Sequence, residues 1–157
     1  MKPLTIQGVL VVVDGVGILL RGPSGSGKST AALNLLRRGR HIVADDLVVV
    51  VRGPDGKPAG RPVEEDVRIE VRGLGVFPVR VLFPDGTLPS ARIDVIAELD
   101  TYDPARDAGR TAPEEHVVQL LEHDVPAVRV PVPTGVDPGL LVELLAGLFR
   151  DNGAVGP

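Results

Sequence analysis

Cysteine is absent from the 157-residue sequence. That removes a disulfide framework, a thiol nucleophile and a cysteine-ligated zinc site, and it fits a reducing, cytoplasmic setting. Aromatic residues are scarce: there is no tryptophan, and Phe77, Phe83, Phe149 and Tyr102 are the whole set, too few for a base-stacking platform. Excess positive charge is missing as well. The formal net charge is −4, which argues against a general nucleic-acid partner. No apolar run approaches the roughly 20 residues of a membrane-spanning helix, and Met1–Gly8 breaks its apolar run too early for a secretory leader. Neither nucleic acid nor membrane is therefore expected as a partner. His41, His116 and His123 lack a metal-ligand spacing and are expected at the surface.

Apolar residues make up 43% of the chain, far above the level of disordered segments. A chain of this length buries a substantial core without staples, and a single domain over 1–157 is expected, its core spanning about residues 5–150. Abundant valine favours sheet. The 15 prolines and 19 glycines are spread among the apolar runs, so they mark turns and not a low-complexity tract.

The chain is organised around Gly22-Pro23-Ser24-Gly25-Ser26-Gly27-Lys28-Ser29-Thr30, the G-x-x-x-x-G-K-[ST] pattern of a phosphate-binding loop. Its glycines let successive backbone N–H groups converge on phosphate oxygens. Lys28 supplies a mobile charge for the β- and γ-phosphates, and Ser29 offers a hydroxyl to Mg²⁺, which keeps most of its waters and takes few protein ligands. Thr30–Arg38 reads as a helix that aims its positive N-terminal end at the phosphates, with Gly39 where a C-terminal glycine belongs. An apolar strand, Gly17–Arg21, feeds the loop. Before it, Val9–Val13 followed by Asp14-Gly15 is a hairpin signal, so the strand entering the loop has an antiparallel partner. That is uncommon among nucleotide-binding folds.

Beyond the helix, Asp45 and Asp46 interrupt the apolar run His41–Val51. Two carboxylates inside a buried strand are costly without a cation, and Mg²⁺-nucleotide would supply one. The alternative is an exposed turn between two short strands. Arg52–Pro62 reads as a polar turn. Val67–Arg72 alternates and reads as a half-exposed strand with Arg68, Glu70 and Arg72 on one face; by itself that pattern suits a solvated face with cross-strand ion pairs. Val79–Phe83 and Ile93–Leu99 read as strands, Asp100–Arg110 as a polar, mobile segment, and Pro113–His123 as a short helix opened by proline. Ala127–Val130 reads as a strand and Pro131–Gly135 as a turn. Asp137 caps a final helix with Pro138 first, and Leu140, Leu141, Leu144, Leu145 and Leu148 form its apolar face. The tail 151–157 is expected to fray.

Five stretches together resemble the HPr kinase/phosphorylase catalytic domain. They are Gly8-Val9-Leu10 with Asp14-Gly15-Val16-Gly17, the phosphate loop, Ile42-Val43-Ala44-Asp45-Asp46, Ile69-Glu70-Val71-Arg72-Gly73-Leu74-Gly75-Val76, and Val125–Val132. Order and spacing agree over about residues 5 to 153. The resemblance implies an α/β fold: a phosphate-loop-containing mixed β-sheet core with an N-terminal β-hairpin and few flanking helices, of the HPr kinase/PEP carboxykinase-like type. It implies a phosphotransferase that uses ATP and Mg²⁺ to phosphorylate a serine of the phosphocarrier protein HPr, reversibly by phosphorolysis. Gly22 to Thr30 would hold ATP, with Lys28 on its phosphates. Asp45 would act as base, Ser29, Asp46 and Glu70 would serve the metal, and Arg72 with either Arg106 or Arg110 would stabilise transferred charge.

The sequence departs from the family pattern in three places. Gln7 stands where many members carry histidine, Thr30 stands where an acid usually follows the loop, and Pro131–Asp137 has lost the arginine of P-V-x-P-G-R-N, with Val136 and Asp137 at its end. The chain resembles short members without the extra N-terminal domain, and the family's hexamers imply a homo-oligomer. Two other readings share these residues: a kinase of the same fold acting on a small-molecule hydroxyl, and a non-catalytic ATP-binding regulator. A pure regulator has no need of a base at Asp45.

Overall fold

Alternation along the two strands before the phosphate loop decides the layering. Leu10 and Leu19 point to one side, and Val9, Val11, Ile18 and Leu20 to the other, all of them buried. A sheet buried on both faces needs a cover on each. In the computed structural model, which describes residues 2–152, helices cover one face and a second sheet the other.

The elements in chain order are β1 (Leu4–Gln7), β2 (Val9–Val13), β3 (Val16–Arg21), α1 (Lys28–Arg37), β4 (His41–Ala44), β5 (Leu47–Arg52), β6 (Pro58–Pro62), β7 (Arg68–Val71), β8 (Gly75–Pro78), α2 (Val79–Leu82), β9 (Ala91–Arg92), β10 (Val95–Thr101), α3 (Pro104–Asp107), β11 (Glu114–Leu120), β12 (His123–Val132) and α4 (Pro138–Asn152). The main sheet runs β11-β12-β10-β3-β2-β4, the second β1-β5-β6-β9, and β7-β8 is a separate hairpin. Strand β10 is parallel to both β3 and β12, while β2 is antiparallel to β3 and β4. The expected mixed sheet with an N-terminal hairpin is present. On one face, Ala31, Ala32, Leu35 and Leu36 of α1 and Val142, Leu145 and Ala146 of α4 pack against Val9, Val11, Ile18 and Leu20. On the other, Val48, Val50 and Ile93 pack against Leu10, Leu19 and Ile96.

Several local expectations are corrected. Pro113–His123 is no helix: Glu114–Leu120 is strand, antiparallel to β12. The two-residue turn Leu121-Glu122 has φ of 51° and 64°, the left-handed pair of a tight hairpin, made here without the usual glycine or asparagine. Val79–Phe83 is not a strand but the short helix α2, closed by the Phe83 N–H on the Val79 carbonyl at 2.7 Å; tertiary context overrides the β-propensity of its valines. Pro58–Pro62 belongs to strand β6, not to the turn before it. The strand β10 runs on to Thr101, and α3 stands in the segment expected to be mobile, capped by Asp103 accepting from the Ala105 N–H at 3.0 Å. Strand β12 likewise extends to Val132, inside the expected turn.

Asp137 Oδ1 accepts from the Gly139 N–H at 2.8 Å, the expected cap of α4. The helix face matches the expectation only in part, at Leu141 and Leu145. Val142, Leu145 and Ala146 are buried, whereas Leu140, Leu144 and Leu148 are 47%, 58% and 44% exposed. Leucines surround so much of this helix that its periodicity does not single out the side that meets α1. Of the tail, Asp151 and Asn152 continue α4, and 153–157 lie outside the described residues. Among the described residues no helix is long and apolar enough to cross a membrane.

Candidate active site

The phosphate loop leaves the main sheet at the end of β3. Gly22 has φ of 149°, and a Cβ there would lie 2.4 Å from the Leu99 carbonyl oxygen, so only glycine lets the chain turn off the sheet this close to β10. The Ser26 N–H donates to the Pro23 carbonyl at 3.0 Å and closes the loop. Helix α1 begins at Lys28 with Gly27 as its cap; no side chain caps it and its first turn holds no acid. The first N–H groups of a helix have no intrahelical partner, and here no protein anion competes for them. The Lys28 ammonium folds across the start of the loop and donates to the carbonyls of Gly22 and Pro23, the latter at 3.1 Å.

The loop forms one side of a cleft of about 1270 Å³, lined by Gly22, Pro23, Ser24, Gly25, Gly27, Lys28, Ser29 and Thr30, and opposite them by Asp45, Asp46, Glu70 and Arg72. Gln7, Gly8 and Arg68 also line it. Of the residues assigned to the site from sequence, the lining lacks Arg106, Arg110 and Ser26, the last with its Oγ buried without a hydrogen-bond partner. Gly22 leaves it little room: a Cβ at residue 22 would lie 2.7 Å from it. The face shared by Arg68, Glu70 and Arg72 opens onto this cleft and not merely onto solvent.

Asp45 and Asp46 do not sit within a strand. They form the turn between β4 and β5, and the strand expectation is corrected there. Asp46 has φ of 70°, a strained conformation for a residue with a Cβ. Its carbonyl accepts from the Gly8 N–H at 2.9 Å, and the Leu47 N–H donates to the Asp45 carbonyl at 2.9 Å. These bonds pin the turn at the edge of both sheets and hold the two carboxylates at the cleft. Burial pushes the Asp45 carboxyl up to about 6 from an ordinary 3.8. The Asp46 charge adds to the rise, the Asp46 backbone N–H opposes it, Glu70 adds again and Lys28 opposes. A carboxyl with an upward-shifted pKa beside a cationic loop suits proton acceptance close to neutral pH.

Among the described residues, no group of three or more His, Asp or Glu side chains is assembled to hold a metal ion. The oxygen donors present fit Mg²⁺ nonetheless, because that ion is held by one or two carboxylates with phosphate oxygens and water and needs no protein cage.

Arg106 and Arg110, the two alternatives from sequence, both stand away from this cleft. Arg106 pairs with Glu114 at 2.6 Å and lines a second cavity on the other side of the loop, while Arg110 makes only a 3.8 Å contact with Glu114. That second cavity, with Glu98, His116 and Arg129, was missed from sequence. It is assembled by the β10–β12 and β11–β12 pairings, which have no local signal.

The chain matches the HPr Serine kinase C-terminal domain over residues 2–154. An HPr kinase/phosphorylase of Geobacillus thermodenitrificans is 37% identical over 147 residues, covering 92% of this chain and 48% of the relative. An HPr kinase/phosphorylase of Listeria monocytogenes is 34% identical over 149 residues, covering 94% and 48%. The chain thus spans about half the length of the curated relatives it matches. The solved structure of the Hpr(Ser) kinase/phosphatase from Coxiella burnetii superposes with a TM-score of 0.83 at 24% identity, over 96% of this chain and 92% of that one, a likeness of fold.

Proposed function

We propose that this chain, which belongs to the HPr serine kinase C-terminal domain family, transfers the γ-phosphoryl group of ATP, with Mg²⁺, to a serine of HPr or an HPr-like phosphocarrier. The observation that carries this reading is a single cleft bounded by the phosphate loop with Lys28 and by the half-buried, upward-shifted Asp45. The curated relatives' names, HPr kinase/phosphorylase, support the acceptor and the reverse reaction. The exposed Leu140, Leu144 and Leu148 of α4 support a homo-oligomer.

In this reading the backbone of Gly22–Gly27 and the start of α1 receive the phosphates, and Lys28 leaves its loop carbonyls to meet them. Bound Mg²⁺ neutralises phosphate charge, and Ser29, Asp46 and Glu70 would hold it directly or through water. Asp45 takes the serine hydroxyl proton as that oxygen bonds to the γ-phosphorus and the bond to ADP breaks. Arg72 faces the same cleft and stabilises charge on the transferred group. In the reverse direction orthophosphate displaces the serine oxygen, pyrophosphate leaves, and Asp45 returns the proton.

The test is transfer from γ-labelled ATP with Mg²⁺ into purified HPr and into a host lysate. Label on a serine of HPr is the expected result. Label on small molecules alone, or ATP binding with no transfer, overturns the protein-kinase reading. Lys28→Ala is expected to weaken ATP binding by roughly 10- to 100-fold, the loss of a charge-assisted contact. Unchanged affinity in a calorimetric titration would remove the phosphate-loop assignment.

A further inference from the structure

The second cavity, about 450 Å³, shares Arg21, Gly22 and Pro23 with the main cleft but opens on the opposite side of the loop. It lies at the C-terminal ends of the parallel strands β3, β10 and β12, where open α/β sheets hold ligands. Asp45 follows β4, at the far edge of the same sheet.

The lining defines what the cavity can take. Arg129, with a side chain only 9% exposed, is paired with Asp107 and, at 3.1 Å, with Asp100. Arg106 is paired with Glu114. Arg106 and Arg129 are thus neutralised by protein carboxylates, and Arg21, on the wall shared with the phosphate loop, is the lining arginine without a carboxylate partner among the described contacts. The cavity lining has almost no apolar side chain, and its aromatic ring is the His116 imidazole. Glu98 remains: His116 Nε2 stands 3.1 Å from its Oε1, and the described contacts leave Oε2 unengaged. A carboxylate with a free oxygen at a strand end, beside a phosphate loop, suits a neutral group rich in hydroxyls, as a ribose is.

Reaction geometry gives the same direction. In-line transfer places the leaving nucleotide opposite the attacking hydroxyl. Asp45 marks the hydroxyl's side, so the nucleoside leaves the loop toward β10 and β12. We infer that the second cavity is the nucleoside subsite of the phosphate donor, with the ribose hydroxyls donating to Glu98. This rests on the ATP-binding reading above.

The experiment measures binding of ATP, 2′,3′-dideoxy-ATP and inorganic triphosphate, each with Mg²⁺, to the full chain and to Glu98→Ala. The variant is expected to bind ATP about 10-fold or more weakly, the loss of a hydrogen bond to a charged group. It should bind triphosphate as well as wild type or better, because one negative charge near the polyphosphate is gone. Dideoxy-ATP should bind wild type and variant alike. The two signs separate a hydroxyl contact from electrostatics: unchanged or tighter ATP binding overturns the subsite, and so does equal weakening of ATP and triphosphate. Wild type that binds triphosphate as tightly as ATP overturns the subsite alone, whereas wild type that binds neither overturns the phosphate-loop reading and the subsite with it.

Discussion

Asp45→Asn is expected to cut phosphoryl transfer to HPr by about 10²- to 10⁴-fold, the usual contribution of a positioned base, while ATP binding stays within a few-fold of wild type. Asparagine keeps the shape and accepts no proton. The same substitution is expected to stabilise the ligand-free fold at alkaline pH. The folded pKa of about 6 lies above the ordinary 3.8, so between those values the folded chain holds a proton that the unfolded chain has released. Stability therefore falls as pH rises through this window, and the full cost of the half-buried charge is present above about pH 6. Asparagine is neutral throughout and removes that cost, about 1–3 kcal/mol for a rise of some two units, or roughly 3–10 °C in melting temperature for a chain of this size. Melts of both proteins in EDTA at pH 4 and pH 8 check this. The gain should appear at pH 8 and vanish at pH 4. Full transfer by the variant would falsify the base assignment, and an equal shift at both pH values would remove the burial account of the raised pKa.

The features legible in the sequence rest on chemistry confined to a few neighbouring residues. Asp14-Gly15 takes φ of 50° and 79° and closes the β2–β3 hairpin as its dipeptide announces. Gly39 ends α1 with φ of 81°, and Asp137 caps α4 through its own side chain. The features that the local sequence does not announce share a different cause. Leu121-Glu122 turns tightly without a turn-forming residue, because the strands on either side pair over seven positions and impose the geometry. Asp45 and Asp46 read as strand because their flanks are β-branched; the turn there is held by Gly8, which comes 38 residues earlier. Glu98 has no motif at all. It meets His116 and the loop only once β10 lies between β3 and β12, an arrangement that no short window of sequence contains.

Gly17→Ala should destabilise the chain by at least about 3 kcal/mol, the upper range for forcing atoms into a packed interior. Gly17 is the second residue of β3, where the main sheet meets β9 of the second sheet. Its N–H donates to Asp94 Oδ2 at 2.8 Å, and its carbonyl accepts from the Asp94 N–H at 2.8 Å. A Cβ at residue 17 would lie 1.7 Å from the Arg92 carbonyl oxygen and 2.9 Å from its carbon. Both are backbone atoms, so no side-chain rotation relieves the clash, and β9 has to leave the edge of β3. That movement breaks the two bonds to Asp94 and opens the core between the sheets around Ile93 and Leu10. A melting temperature about 6–12 °C below wild type is the expected readout, and a loss under about 1 kcal/mol would show that the sheets separate here without cost. Because β3 carries the chain from Gly17 directly into Gly22, the nucleotide affinity of the folded fraction should fall as well. Gly15→Ala provides the control. It sits in the same hairpin with open space around its Cβ position but φ of 79°, so its cost is confined to backbone strain of about 1–2 kcal/mol, and the phosphate loop behind it should bind as before.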